Sequence, residues 1–268
     1  MKARYVPRVI LVGRVTALTE VLLSGRLMGT LLRVVFWIAV SVTLWHALYA
    51  HAPTAAGMTV DQTVTYVVVA AMVTQLRAGA LTADTLADHI SAGTVLYWFL
   101  RPMKPRAYYF ARALGDTLYA LTWVTVGYIV CLSFGVLAGP TTTTVGLIAL
   151  LSLVLGQVIA HELRLLVDLV CFWTVVNRQV IKLTEFVQTF LSGGFAPLWF
   201  FPEWFQKASA IAPFGYVVNI PMSIYTGRTH GAGIGQSLVA QLVWAAALAA
   251  LNRWIWSRAV CRVGVQGG

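Results

Sequence analysis

The chain has 268 residues, of which 59% are apolar and only 10% charged, with a formal net charge of +10 and a mean hydropathy of +0.78. A water-exposed surface cannot be built at that charge density, where soluble domains carry about 25% charged residues, so the solvent is a bilayer and no sizeable soluble domain fits. The basic excess excludes a nucleic-acid reader, because the charges lie between apolar runs instead of on a soluble face with groove-reading partners. Cys131, Cys171 and Cys261 are too far apart for a zinc site or a disulfide framework.

In chain order, residues 1–29 come first, where Lys2, Arg4, Arg8, Arg14, Glu20 and Arg26 interrupt the short apolar clusters. No uninterrupted signal-peptide core is present, so the segment is expected to stay in the mature protein. A helix over 7–28 starting at Pro7 gathers Arg4, Arg8, Arg14 and Arg26 into one sector, as an interfacial helix does with its basic stripe toward lipid headgroups. Spans are expected near 30–50, 62–82, 114–138 and 143–163, a fifth within 165–200, and a last near 234–256. The stretch 165–176 either extends the fourth helix or begins the fifth. The expected fold is therefore all-α and polytopic, with six membrane-spanning helices and a short tail, 257–268.

With the N-terminus inside, seventeen of the nineteen Lys and Arg fall on one side and only Lys207 and Arg228 on the other. That asymmetry orients membrane proteins and places both termini in the cytoplasm. Two connections are long, one on each face. The inner one, 83–113, reads as helical through LADHISAGTVLYWFL until RPMKP ends it. The outer one, 197–233, is broken by Pro197, Pro202, Pro213 and Pro221 and carries Trp199, Phe200, Phe201, Trp204, Phe205, Phe214 and Tyr216. Rings suited to the headgroup level and repeated helix breaks fit either a plain outer loop with an aromatic belt or a re-entrant helical hairpin; irregular backbone at membrane depth is tolerated only under protein or beside a water-filled cavity.

Ionisable and amide side chains in or near spans are costly in lipid and are candidates for function: His46, Gln75, Arg77, Asp116, Gln157, His161, Glu162, Asp168 and Asn177. Several have a simpler reading. Arg164 and Asp168 stand i, i+4 and are expected to pair. Asp84 and Asp88, a helical turn apart beside His89, could hold Mg²⁺ in a membrane lipid or prenyl transferase, but such enzymes need a second acidic motif and the other inner acids are scattered singly. His161-Glu162 opens like a zinc motif but position 165 is Leu, so no metal site is expected.

The run SGG, PLWFFPEW and APFGYVVNIP ending in YTG at 192–227, with ISAG and LRP at 90–102, resembles the permease subunits of ABC type-2 export systems, in particular the six-span branch of about 260 residues that is often paired with a second permease and one ATPase. The resemblance implies a type V exporter-like fold. It implies that the N-terminal segment is an interfacial connecting helix and that 84–104 is the coupling region, with Asp84, Asp88, His89, Arg101 and Lys104 toward the ATPase and Gly93 allowing a bend. It also implies outer gate helices over 198–220, involving Pro197, Trp199, Phe201, Pro202, Trp204, Pro213 and Phe214. The implied partners are two copies of an ATP-binding subunit, a second permease subunit, identical or homologous, and membrane lipid, in the bacterial inner membrane. The chain has no G-x-x-x-x-G-K-[ST] loop, so it is expected to be a transport subunit without an ATPase site, ATP and Mg²⁺ belonging to the partner. Few charges in the spans suggest an amphipathic or apolar cargo, such as a drug-like metabolite, lipid or hydrophobic peptide, moved by alternating access.

Overall fold

The computed structural model describes residues 24–51, 54–80, 86–102, 104–174 and 178–263. The expected interfacial helix lies almost wholly outside them, as do Asp84 and Asn177. Helix α1 (Ser24–Tyr49) leads to a two-stranded hairpin, β1 (Thr54–Ala55) and β2 (Met58–Thr59), and then to α2 (Val60–Ala80). The hairpin turns on Ala56 and Gly57, both at positive φ (51° and 78°), as a two-residue primed turn requires. Short helices α3 (Leu86–Ser91) and α4 (Leu96–Phe99) precede the long α5 (Pro105–Ser133) and α6 (Thr143–Val170). The chain continues through α7 (Arg178–Leu191), a 3₁₀ turn (Leu198–Phe200), α8 (Glu203–Ile211), a second 3₁₀ turn (Pro213–Tyr216), α9 (Asn219–Tyr225) and α10 (Ala232–Val263).

The ends of the long helices follow from local chemistry. Pro105 opens α5 at a position where its missing N–H costs nothing. Gly135, at φ 69°, ends the same helix by turning the chain so that the Gly135 and Val136 N–H groups return to the Leu132 and Cys131 carbonyls. Thr142 caps α6, its hydroxyl accepting from the Val145 N–H at 3.2 Å. The helix then runs on to Val170, so LLVDLV extends the fourth long helix and the next one starts only at Arg178.

Among the described residues, four helical stretches are long and apolar enough to cross a bilayer: Leu32–Tyr49, Pro105–Ser133, Thr143–Val170 and Ala232–Ala259, with the shorter apolar Val60–Thr74 beside them. Their outward faces carry large apolar side chains, among them Phe36 and Leu48 on α1, Ile129 on α5, Leu147 on α6 and Val243 on α10. In water such a surface would aggregate; against acyl chains it is solvated. Within the expected fifth span, α7 is described over Arg178–Leu191, and residues 175–177 before it lie outside the described residues.

Helix α2 is the most enclosed, with residues 63–73 buried throughout, because α1 packs on one side of it and α5 on the other. A second group forms where α6 packs along α10 and α9. One apolar core joins the two, from Trp45 and Tyr49 through Val67 and Met72 to Ile159, Val217 and Leu248. The hairpin, the loop before α6 and the turn after α9 meet at one end of the bundle, where Gln62 donates to the Thr226 carbonyl, Ala138 N–H to Thr65 and Arg228 to the Ala56 carbonyl. Helices α3 and α4 sit at the other end.

Candidate gate and coupling sites

Between Leu191 and Thr226 the chain turns back into the bundle. The Ser192-Gly193-Gly194 turn is pressed so closely on its neighbours that a Cβ on Gly193, at φ 79°, would stand 2.5 Å from the Tyr66 hydroxyl, and one on Gly194 2.8 Å from Thr189. Further on, a Cβ on Gly156 of α6 would stand 2.5 Å from the Val217 carbonyl oxygen and 3.0 Å from that of Tyr216. Gly156 lies thirteen residues into α6, about 20 Å along its axis. The broken backbone at 213–217 therefore reaches about half the depth of the bundle. Helix α9 then climbs along α6 until the Tyr225 hydroxyl, 2.6 Å from that of Tyr128, donates to the Ala138 carbonyl at 3.0 Å.

Non-helical backbone at that depth needs internal partners for its polar groups, and two side chains from elsewhere, Gln241 and Tyr66, supply them together with Asn219 of the segment itself. Gln241 of α10 donates to the Tyr216 carbonyl at 2.8 Å and the Ser152 carbonyl at 2.9 Å, while its own oxygen accepts from the Ser152 hydroxyl at 2.9 Å. The Tyr66 hydroxyl, with one proton, stands 3.1 Å from the Gly193 carbonyl and 3.2 Å from Asn219 Oδ1. Asn219 Oδ1 also accepts from the Leu198 N–H, and the Asn219 N–H reaches the Ser192 carbonyl. Neither Tyr66, Asn219, Ser152 nor Gln241 stands among the residues the sequence singles out. The signal that could have found Gln241 is that it is an amide in the apolar middle of the last span; nothing in the sequence marks the others.

The aromatic residues expected at the gate divide. Trp199 is buried, with its ring edge-on to Tyr66 at 4.9 Å and the Arg228 guanidinium 4.8 Å over its face. Phe201 stacks on Phe205 at 4.8 Å and meets Phe190 of α7 at 5.3 Å. Trp204 is 70% exposed at the surface of α8. Pro197 and Pro202 precede the first 3₁₀ turn and α8, and Pro213 opens the second 3₁₀ turn. Phe214 reaches a cleft of about 560 Å³ between α2, α6 and α7, which Gln157, Thr74 and Gln188 also line.

At the opposite end, α3 and α4 form a small module around Gly93, whose φ of 69° lets the chain reverse between them. Leu86, Val95 and Trp98 are buried against Leu165 and Leu169 of α6 and Ala259 of α10. His89 points inward: its Nδ1 is 2.8 Å from the Thr94 hydroxyl, its Nε2 3.5 Å from Arg112, and its ring lies edge-on to Trp98 at 5.0 Å. His89 is half-buried and braces the module through these contacts. Arg101 and Lys104 are exposed, Arg101 with its guanidinium 4.1 Å over the Tyr108 ring, and Asp88 is half-buried.

The intramembrane polar residues mostly find partners. Arg164 binds Asp168 at 3.1 Å and also Glu185 of α7, and the Tyr109 hydroxyl donates to Asp168 at 3.1 Å. Glu162 accepts from Asn252 of α10 at 2.8 Å. His161 meets the rings of Tyr109 and Phe110, and His46 is exposed on α1. The Gln75 side chain lies outside the described residues. Glu162 and Asp168 are thus structural tethers between helices, which leaves Gln157 as the member of the set that lines a cleft. Burial pushes the Cys171 thiol, just past α6, up to about 11. Among the described residues, no three His, Cys, Asp or Glu side chains gather as a metal site.

The two sites share two helices. Helices α6 and α10, which hold the α3–α4 module at one end, are the helices that grip the re-entrant backbone at mid-depth through Gly156, Ser152 and Gln241. A family model described as "ABC-2 family transporter protein" matches residues 35–267. No curated protein and no solved structure matches the chain.

Proposed function

We propose, on the premise that the chain belongs to the ABC-2 family of transporter proteins and is a membrane transport permease of an ABC assembly, that it exports an amphipathic or apolar substrate by ATP-driven alternating access. The observation that carries the reading is the shared use of α6 and α10 by the module at one end and the re-entrant segment at mid-depth. A displacement of the module by an ATPase would move those two helices, and with them the backbone of residues 213–217, against α2. Packed helices shift as bodies between discrete arrangements, so a push at one end can open a gate at the other.

In this reading the module faces the cytoplasm of the bacterial inner membrane, as the seventeen-of-nineteen distribution of Lys and Arg supports, and presents Arg101 and Lys104 to the ATPase. One chain supplies one wall of a pathway, so two permease subunits, identical or homologous, and two ATPases complete it. ATP and Mg²⁺ are bound by those partner chains. Gentle extraction of the tagged chain and mass spectrometry of what accompanies it test the assembly: a stoichiometric chain with a phosphate-loop motif is expected. The double variant R101A/K104A should keep its amount in the membrane and lose most substrate-stimulated ATP hydrolysis. A chain that always comes out alone, or unchanged coupling in that variant, would overturn the reading.

A further inference from the structure

A second cleft, of about 320 Å³, lies at the hairpin end between α8 and α9, over Leu198 and Trp199, and shares Gly215 and Tyr216 with the broken backbone described above. Its polar lining is made of donors. Trp199 lines it with an indole N–H that is buried and has no hydrogen-bond partner among the described residues, and Ser209 and Ser223, 6% and 4% exposed, line it too. Asn219 engages Tyr66 and Leu198 through its carbonyl oxygen, so its amide N–H groups remain for the cleft. Arg228 is held by one N–H on the Ala56 carbonyl and by the Trp199 ring, with the rest of its planar donor set at the rim. No carboxylate lines the cleft; Glu203 on the same helix as Ser209 pairs with Lys207 at 2.8 Å on an exposed face. Leu198 and Ile220 supply apolar wall beside these donors.

A buried N–H without a partner costs free energy that an acceptor-rich ligand recovers, and hydroxyls and a guanidinium beside it select an anion. We propose that this cleft binds the carboxylate or phosphate headgroup of an amphipathic molecule, with its apolar chain along Leu198 and Ile220. The headgroup belongs either to cargo leaving the transporter or to an outer-leaflet lipid; only the first source rests on the export reading.

The test uses the full chain, with whatever ATPase accompanies it, in dodecyl maltoside, and dodecyl phosphate as probe, followed by native mass spectrometry. The wild-type chain should retain one dodecyl phosphate at concentrations where inorganic phosphate leaves no adduct. R228Q should weaken retention about tenfold, the size of one charge-assisted contact. Because R228Q also loosens the hairpin, S209A/S223A is the second variant, expected to weaken retention several-fold while the hairpin contact stays intact. K207Q, a charge change on the exposed face of α8, should have no effect. Equal retention by all variants, or equal losses in K207Q and R228Q, overturns the proposal.

Two further readouts separate the sources, and either upholds the headgroup site. If cargo binds here, S209A/S223A slows ATP-dependent efflux of dodecyl phosphate from vesicles. If lipid binds here, efflux is unchanged, and the wild-type chain extracted from its membrane carries an anionic lipid that the double variant lacks. Anion selectivity without any copurifying ATPase would leave this site standing and remove the export reading.

Discussion

Arg164 shows how a single residue organises the charged end of the bundle. Its side chain is 8% exposed and that of Asp168 2%, and the same guanidinium reaches Glu185 on α7. Burying two charged groups is costly, and it is sustained here because they pair with each other, Glu185 adds a second partner to Arg164, and Tyr109 adds a hydrogen bond to Asp168. Replacing Arg164 by Ala should therefore do more harm than losing its own contacts, because the Asp168 carboxylate is left buried with the tyrosine alone. The expected cost is about 3–5 kcal/mol at the buried pair, with less from Glu185, which is 31% exposed. Thermal unfolding in detergent, followed by size-exclusion fluorescence, measures it. R164M/D168L, which removes both charges, should recover much of the loss; if it is as unstable as R164A, the pair is not what the guanidinium secures.

At the scale of elements, the contact between α6 and the re-entrant segment is decided by the absence of a side chain. Alanine is the better helix former, by about 1 kcal/mol over glycine, so Gly156→Ala would stabilise α6 if the helix stood alone. Here the added methyl would meet the backbone oxygens of Val217 and Tyr216 at 2.5 and 3.0 Å, and backbone cannot swing aside as a flexible side chain does. Overpacking of this kind costs about 1–3 kcal/mol, enough to outweigh the helical gain. G156A should insert normally, lose thermal stability and lose transport, whereas G29A on α1, where nothing lies within 4 Å of the new methyl, should be neutral. Equal behaviour of the two variants would show that the segment does not pack against α6 as described.

For the whole molecule, the orientation can be read from accessibility at its two ends. Lys207 lies on α8 near the hairpin end, Arg101 on the module at the other, and both are exposed. With the native cysteines replaced, K207C should react with an impermeant maleimide in intact cells and R101C only after the membrane is opened. The reverse pattern would invert the assignment of gate and coupling ends.

Composition and proline placement settle much of this protein by themselves, because each acts without reference to distant neighbours. An apolar run excludes water wherever it packs, and the prolines at 197, 202 and 213 interrupt helices by local stereochemistry. For the same reason the i, i+4 pair of Arg164 and Asp168 was legible, being set by helix geometry alone. Which helix owns 165–170 was decided in three dimensions, where Leu165 and Leu169 of α6 pack against the α3–α4 module and α10. The roles of Tyr66, Ser152, Asn219 and Gln241 were invisible in one dimension, since a polar residue in an apolar run looks alike whether it lines a path or holds a distant backbone. Only the tertiary structure brings Gln241 to the carbonyl of Tyr216, twenty-five positions away, and a buried amide takes its function from that partner.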